Sequence, residues 1–236
     1  MIKQIIKKSF LYKWYRNRKN ERYQLRMKIV SDAFKKEAID VLRLYSNALN
    51  SYHVPFWLCS GTLLGYYREH DFIKHDFDLD TGAWYKDRYR VRAALEKNGF
   101  ERVRYYFNLN KDGLEECYKH KDYTTTIDVF YFIEDGKYSF CYSFSPMVSM
   151  TKKRHLNKVQ KSKSIKWTWD AFSIMPVEFQ GVSVNVPQDT AHFLETLYGK
   201  TFMTPIPNYP IEGRPNMTEY TYEEMPACAF LKIGYI

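Results

Sequence analysis

The first third of the chain changes its pattern of apolar and polar residues three times. Between residues 22 and 50, apolar side chains recur every three or four positions with no Pro or Gly, which predicts a long helix. The apolar run 53–59 predicts a buried strand. Small residues at 60–62 then predict a tight turn that leads directly into a short helix over 63–70.

Segments in which apolar and polar residues alternate dominate the middle of the chain. A short strand over 77–80 and an amphipathic helix that stops at Gly99 come first. Strands are predicted over 101–109, 115–122 and 124–144, the last with an Asp-Gly hairpin turn at 135–136. A hairpin is predicted over 175–187 and a helix over 188–199. Together these elements predict an α+β fold with a mixed sheet flanked by helices.

Two segments show no clear period. Residues 151–166 carry seven basic side chains and few apolar ones, which predicts a loop or a solvated helix. The segment from Thr201 onward is rich in proline, and we expect it to wrap the surface.

Positive charge is concentrated at the start of the chain. The formal net charge is +9, and residues 1–36 hold twelve Lys and Arg against only Glu21 and Asp32, so the rest of the chain is close to neutral. Apolar and aromatic residues such as Ile6, Phe10 and Trp14 share this segment at helical spacing. We therefore predict a basic N-terminal helical extension over 1–50 and a catalytic domain over 51–236. The extension suits an anionic membrane surface, although a plain helix packed on the domain has the same pattern; no recognised motif supports nucleic acid.

Other features indicate the compartment. The four cysteines have unrelated spacings with no CxxC pair, which suggests neither a zinc site nor a disulfide framework and is typical of a reducing cytoplasm. The chain has no long apolar run and its first residues do not resemble a secretory signal. We expect a cytoplasmic protein that is peripheral at the inner face of the membrane.

Three aspartates at alternate positions carry the strongest chemical signal. Asp76, Asp78 and Asp80 fall on one face of an extended strand, where like charges repel and lose hydration. Asp128 stands in an otherwise apolar strand, where an unpaired carboxylate is costly. A divalent cation relieves both costs, and Mg²⁺ (or Mn²⁺) takes carboxylate and phosphate oxygens as ligands.

A small-residue turn before a helix exposes backbone N–H groups to an anion. Such a turn ahead of D-x-D is consistent with two enzyme classes: a sugar-nucleotide glycosyltransferase and a nucleotidyltransferase-like phosphotransferase. The order, with the turn about 16 residues before the aspartates, favours the second.

Three blocks resemble the LicD/fukutin family: "WLCSGTLLGYYREHDFIKHDFDLDTG" at 57–82, "IDVFYF" at 127–132 and "MPVEFQGVSVNVPQDTAHFLETLYGKTFMTP" at 175–205. The resemblance implies a nucleotidyltransferase-like fold that moves a phospho-alcohol, such as phosphocholine, ribitol phosphate or glycerol phosphate, from a CDP-activated donor to a hydroxyl of a surface polysaccharide or lipopolysaccharide. CMP is then the leaving group. A degenerate scaffold of the same family is a further alternative.

The resemblance also suggests roles for particular residues. Asp78 and Asp80 hold Mg²⁺, and Asp76 supports them or binds a second ion. Asp128 is either a third metal ligand or the general base. The donor phosphates would be bound by Ser60, Gly61, Thr62 and Arg68.

Overall fold

The computed structural model describes residues 10–108, 113–147, 157–206 and 214–232. Its helices are α1 (Phe10–Ser51), α2 (Ser60–Leu64), α3 (Arg88–Lys97) and α4 (Thr190–Tyr198). Its strands are β1 (Phe56–Leu58), β2 (Asp78–Trp84), β3 (Phe100–Asn108), β4 (Glu115–His120), β5 (Thr126–Asp135), β6 (Tyr138–Pro146), β7 (Gln160–Asp170), β8 (Ile174–Phe179), β9 (Val182–Pro187), β10 (Met217–Tyr220) and β11 (Ala227–Leu231).

The predicted long helix is confirmed as α1, which reaches back to Phe10. Its second half is part of the core, because Phe34, Val41, Tyr45 and Leu49 lie on one side and are almost fully buried. By contrast, residues 17–25 are all exposed. The domain boundary at residue 50 stays a prediction, as does the role of the basic segment, whose first nine residues lie outside the described part.

The main sheet is mixed, as predicted, because β2 and β5 run parallel while the other pairs are antiparallel. The prediction of a simple sheet flanked by helices was incomplete. From β5 the pairing passes through β4, β3, β11 and β7 to β6, and β6 pairs again with β5. These six strands therefore form a closed barrel, and β2 and β1 extend the sheet beyond β5.

Two sequence predictions were wrong where small residues face inward. Residues 160–166 belong to β7, in which Ser162 and Ser164 are fully buried while Lys161 and Lys163 point outward. The proline-rich tail does not only cover the surface, because β11 lies between β3 and β7 with Ala227 and Ala229 fully buried. The buried alternate positions are serines in β7 and alanines in β11 in place of larger apolar residues. The period of two in these strands therefore gives little hydropathy signal.

The two faces of β2 and β5 have different neighbours. The hydroxyl of Tyr45 on α1 lies 2.9 Å from that of Thr81, so α1 covers the face of β2 that carries Thr81. Neighbouring side chains on a strand point to opposite faces. Asp78, Asp80 and Asp128 therefore lie on the face away from α1.

Candidate active site

The parallel pairing of β2 with β5 brings the predicted carboxylates together. Asp80 is the register partner of Asp128, and Asp78 is the partner of Thr126. Alternate residues of a strand share a face, so all three carboxylates occupy the same side of this strand pair. Their grouping depends on a contact between strands almost 50 residues apart in the chain.

The turn after β1 is fixed to β2 at Asp80. The backbone N–H of Cys59 donates to the carbonyl of Asp80 (3.1 Å), and the N–H of Gly61 donates to its carboxylate Oδ2 (2.9 Å). In return, the N–H of Asp80 donates to the hydroxyl of Thr62 (2.8 Å). Backbone and side chain of Asp80 are thus both used to hold the turn, which begins at Ser60 with a positive φ of 45°.

Gly61 allows two carboxylates to approach the turn closely. A Cβ at this position would lie 2.9 Å from Oδ2 of Asp76 and 3.2 Å from Oδ2 of Asp80. Any side chain would therefore displace these oxygens. The same contact shows that Asp76, which precedes β2, reaches the cluster.

The aspartates strongly perturb one another. Burial raises the pKa of Asp76 to about 6. Burial also raises the pKa of Asp78 well above its usual range, and the charges of Asp128 and Asp76 raise it further. The pKa of Asp80 is likewise raised well above its usual range, by burial and then by the neighbouring carboxylates, although the N–H of Gly61 opposes the shift. A cation placed among these carboxylates would favour their ionised form.

Arg104 and Glu115 also belong to the site, although no sequence pattern predicted them. Nη2 of Arg104 on β3 lies 2.5 Å from Oδ2 of Asp128 and 3.8 Å from Glu115. Burial raises the pKa of Glu115 to about 8, with Arg104 opposing and Asp128 adding to the shift. Both reach the site only because β3, β4 and β5 are neighbours, and no motif marks this pairing in the sequence.

Asp128 has one paired and one unpaired oxygen. Arg104 occupies Oδ2, while Oδ1 is buried and accepts no hydrogen bond from the described residues. An unpaired buried carboxylate oxygen is costly, and such atoms often mark the position of a ligand or ion. Oδ1 is therefore the atom of Asp128 that is available for chemistry.

The residues predicted to bind phosphate are not equivalent in the structure. Ser60 is half-buried beside a cavity, whereas Thr62 is buried and its hydroxyl already accepts from Asp80. Arg68 donates from Nη1 to the carbonyl of Phe202 (3.2 Å) and from Nε to Glu69 (2.8 Å). The structure thus places Ser60, Gly61 and Thr62 next to the aspartates, while Arg68 donates to groups outside the carboxylate cluster.

A cavity of about 120 Å³ opens beside Ser60 and Cys59. We call it the aromatic cavity, after its lining by Phe130, Phe132, Trp167, Trp169, Phe193 and Leu197. Trp167 and Trp169 are both at least 90% buried. They also form a wall of this cavity.

The carboxylates fit a divalent cation that is shared with a substrate. Within the described residues, no group of three or more His, Cys, Asp or Glu side chains forms a ready-made metal site. Mg²⁺ does not need one, since it commonly takes one or two carboxylates and completes its shell with substrate phosphates and water. Asp78 and Asp80, at alternate positions on one face of β2, supply two such carboxylates.

The fold and site together define an α+β protein in which a glycine turn and a D-x-D strand meet on one face of a parallel strand pair. The family model for the nucleotidyltransferase domain of LicD/FKTN/FKRP matches residues 53–189, more than half of the chain. The chain therefore belongs to the LicD/FKTN/FKRP family. This confirms the resemblance noted from the sequence blocks.

Relatives within the family are fukutin proteins. The chain is 29% identical over 184 residues to "Ribitol-5-phosphate transferase FKTN" of Homo sapiens and to the same protein of Macaca fascicularis, and 28% identical over 183 residues to that of Mus musculus. These matches cover 77–78% of this chain but only 36–37% of the relatives, so the chain spans little more than a third of their length. Among solved structures, the lincomycin-bound lincosamide adenylyltransferase LnuA is 13% identical, with a TM-score of 0.38 over 67% of this chain and 83% of that one.

Proposed function

We propose that this protein is a divalent-cation-dependent phosphotransferase that moves a phospho-alcohol from a CDP-activated donor to a hydroxyl group of a glycan. The observation that carries the proposal is the pairing of Asp80 with Asp128, beside Asp78 and against the Gly61 turn, in a chain of the LicD/FKTN/FKRP family. The fukutin relatives favour ribitol phosphate among the possible groups, ahead of phosphocholine and glycerol phosphate.

In this reaction the acceptor hydroxyl oxygen attacks the phosphorus that carries the alcohol. The bond from that phosphorus to the oxygen bridging to CMP breaks, and CMP leaves with the electron pair. Most of the catalytic effect in phosphoryl transfer comes from positioning and from balancing charge. A cation bound with the donor would neutralise its phosphate oxygens.

Different residues of the chain would bind the cation, bind the donor phosphates and accept the proton. Asp78 and Asp80 would hold Mg²⁺ or Mn²⁺, and Asp76, whose Oδ2 approaches Gly61 beside that of Asp80, would support them. Asp128 is oriented by Arg104, and its unpaired Oδ1 serves either as a third metal ligand or as the base that takes the proton of the acceptor hydroxyl. Ser60 and the turn at Gly61 would bind the donor phosphates, with Arg68 as a further candidate.

The acceptor we propose is a surface polysaccharide or lipopolysaccharide, or a lipid-linked precursor of one, which would place the enzyme at the inner face of the membrane. None of the helices in the described ranges is long and apolar enough to cross a bilayer. Association would instead use the basic N-terminal segment, where Trp14, Leu25 and Ile29 are exposed beside basic side chains.

The test is a panel of donors. Purified protein and Mg²⁺ are incubated separately with CDP-ribitol, CDP-glycerol and CDP-choline, with and without a polysaccharide acceptor, and CMP release is followed. We expect acceptor-dependent CMP release from one of them, which Asp78→Asn strongly reduces at the same Mg²⁺ concentration. Turnover of a sugar nucleotide in place of all three CDP donors would identify a D-x-D glycosyltransferase, and no turnover of any nucleotide would favour a non-catalytic scaffold.

A further inference from the structure

The aromatic cavity has the size of one six-membered ring. Its volume of about 120 Å³ compares with engineered apolar cavities of roughly 150 Å³ that bind benzene. One wall is flat, because Trp169 and Phe193 are stacked with ring centroids 4.8 Å apart and planes 8° apart. Phe132 lies 5.3 Å from Trp169 and is tilted by 43° to it. A planar ring fits this shape, whereas two fused rings exceed the volume.

The cavity does not suit the alcohol part of a phospho-alcohol donor, whether that alcohol is a polyol or choline. A polyol would lose water from several hydroxyls and find few partners among apolar aromatic walls. A quaternary ammonium group would meet Arg214, which lines the cavity with its guanidinium 5.6 Å from the ring of Trp167, and two cations repel.

A nucleobase finds suitable partners. Nε1 of Trp167 donates to the hydroxyl of Ser143 (2.7 Å), which leaves the proton of that hydroxyl for an acceptor in the cavity. Ser60 and Arg214 add further donors at the wall. An apolar pocket with a small number of placed polar groups is the usual form of a site for a heteroaromatic ring.

The cavity adjoins the carboxylate cluster. Ser60 lines the cavity and is directly followed by Gly61, whose N–H is bonded to Asp80. Phe130 lines it from β5, two positions after Asp128 and on the same face. A nucleotide with its ring in the cavity therefore has its phosphates on the side of the aspartates.

We propose that the aromatic cavity is the subsite for the nucleobase of the donor, that it takes the single ring of a pyrimidine, and that its volume rejects purines. This rests on the proposed function, since it assigns the donor's base to the cavity and leaves the transferred alcohol outside it. Leu197 lines the cavity from α4, together with Phe193.

The experiment measures binding in the absence of any acceptor, by calorimetry with CMP, AMP, phosphocholine and ribitol 5-phosphate in the presence of Mg²⁺. We expect CMP to bind at least about tenfold more tightly than AMP, the scale on which pockets separate ligands by size. Equal binding of CMP and AMP, or tighter binding of phosphocholine or ribitol phosphate than of CMP, would overturn the assignment.

Variants of α4 make the test specific to the cavity. Leu197→Ala enlarges it, and we expect the preference for CMP over AMP to fall about tenfold or more. Leu194→Ala is the matched control, because Leu194 lies on the same helix and is fully buried but does not line the cavity. Where thermal melts show that Leu197→Ala does not fold, Leu197→Val replaces it, with a smaller change expected in the same direction.

The outcomes separate this inference from the proposed function. A changed base preference in Leu197→Ala alone supports the cavity assignment even if no phospho-alcohol is transferred. Transfer from a CDP donor with the same base preference in wild type, Leu197→Ala and Leu194→Ala would refute the cavity assignment and leave the proposed function standing.

Discussion

Asp80 and Asp128 are direct partners in the parallel pairing of β2 with β5. The same row continues across the sheet, since Asp128 is paired with Cys117 and Cys117 with Arg104. Two carboxylates and one guanidinium are therefore aligned perpendicular to the strands. Arg104 pairs with Asp128 and also opposes the raised pKa of Asp78 and of Glu115. A single guanidinium cannot offset all the carboxylates of the site, so a cation would stabilise their ionised form.

The first prediction concerns Gly61. In Gly61→Ala the new methyl group would stand 2.9 Å from Oδ2 of Asp76, so we expect a loss of about 1–3 kcal/mol in the free energy of unfolding and a fall in transfer activity. In the Asp76→Ala background the obstructing carboxylate is absent, so Gly61→Ala should lower the free energy of unfolding by less than it does in the wild-type protein. Chemical denaturation of the four proteins measures this coupling, and a Gly61→Ala protein as stable as wild type would disprove the close approach.

The second prediction concerns pH. The pKa of Asp76 is about 6 in the folded protein and near 4 when unfolded, so the native state binds the proton more tightly and stability falls as pH rises through this window. Without metal, Asp76→Asn should be more stable than wild type at pH 8, by up to about 3 kcal/mol before screening by water around the half-buried side chain. The difference should vanish near pH 4. Melting temperatures in EDTA test this, and an equal difference at both pH values would contradict the shift.

The third prediction concerns the opposite face of the sheet, where Glu116 is fully buried. It accepts hydrogen bonds from Arg92 and Arg102 (2.8 and 2.6 Å) and from the hydroxyls of Tyr118 and Tyr131 (2.7 and 2.8 Å). Glu116→Ala leaves two guanidinium groups without this partner, so we expect the free energy of unfolding to drop by about 3–5 kcal/mol.

The control for Glu116 is an exposed pair. Glu134 and Lys86 lie 2.8 Å apart with more than half of each side chain exposed. Glu134→Ala should cost less than about 1 kcal/mol. Denaturation curves that show a similar drop in the free energy of unfolding for the two variants would mean that Glu116 does not stabilise the fold more than an exposed ion pair does.

The fourth prediction concerns membrane association. Arg18, Lys19 and Arg22 lie on the exposed part of α1. Replacing all three by Gln should weaken binding to anionic phosphatidylserine vesicles by about 1 kcal/mol per charge. Turnover on a soluble acceptor should not change.

The matched control replaces three exposed lysines elsewhere, Lys158, Lys161 and Lys163, by Gln. Vesicle sedimentation should then give nearly wild-type binding. Equal loss in both triple variants, or binding that is insensitive to salt, would argue against an anchor on α1.

The local parts of the site were readable from sequence because each depends on neighbours in the chain. The small residues at 60–62 and the alternation of Asp78 with Asp80 are short-range patterns, and both mark the site. Residues 60–62, however, form the first turn of α2 and not a separate tight turn before a helix. Arg104 and Glu115 act on Asp128 only through the order of β3, β4 and β5 in the sheet. Nothing in their own surroundings marks them as different from other charged strand residues.

Closure of the barrel was hidden for a similar reason. It depends on β11, whose pairing with β3 and β7 joins segments far apart in the chain, and on β7, whose inward positions at its start are serines. Small inward residues suit a crowded barrel interior but carry little hydropathy signal.

The most direct test of the central claim, that Asp78 and Asp80 hold a divalent cation with the donor, is a Mg²⁺ titration of CMP release at saturating CDP donor. Asp78 is the residue to change, because Asp80 also fixes the turn through Gly61. Asp78→Asn should raise the Mg²⁺ midpoint at least about tenfold, with partial rescue of turnover by added Mg²⁺. Asp128→Asn in the same assay separates its two roles: a raised midpoint means a ligand, whereas an unchanged midpoint with a loss of roughly 10²–10⁴ in turnover means a base. An Asp78→Asn protein with the wild-type Mg²⁺ midpoint and turnover within about tenfold of wild type would contradict the central claim.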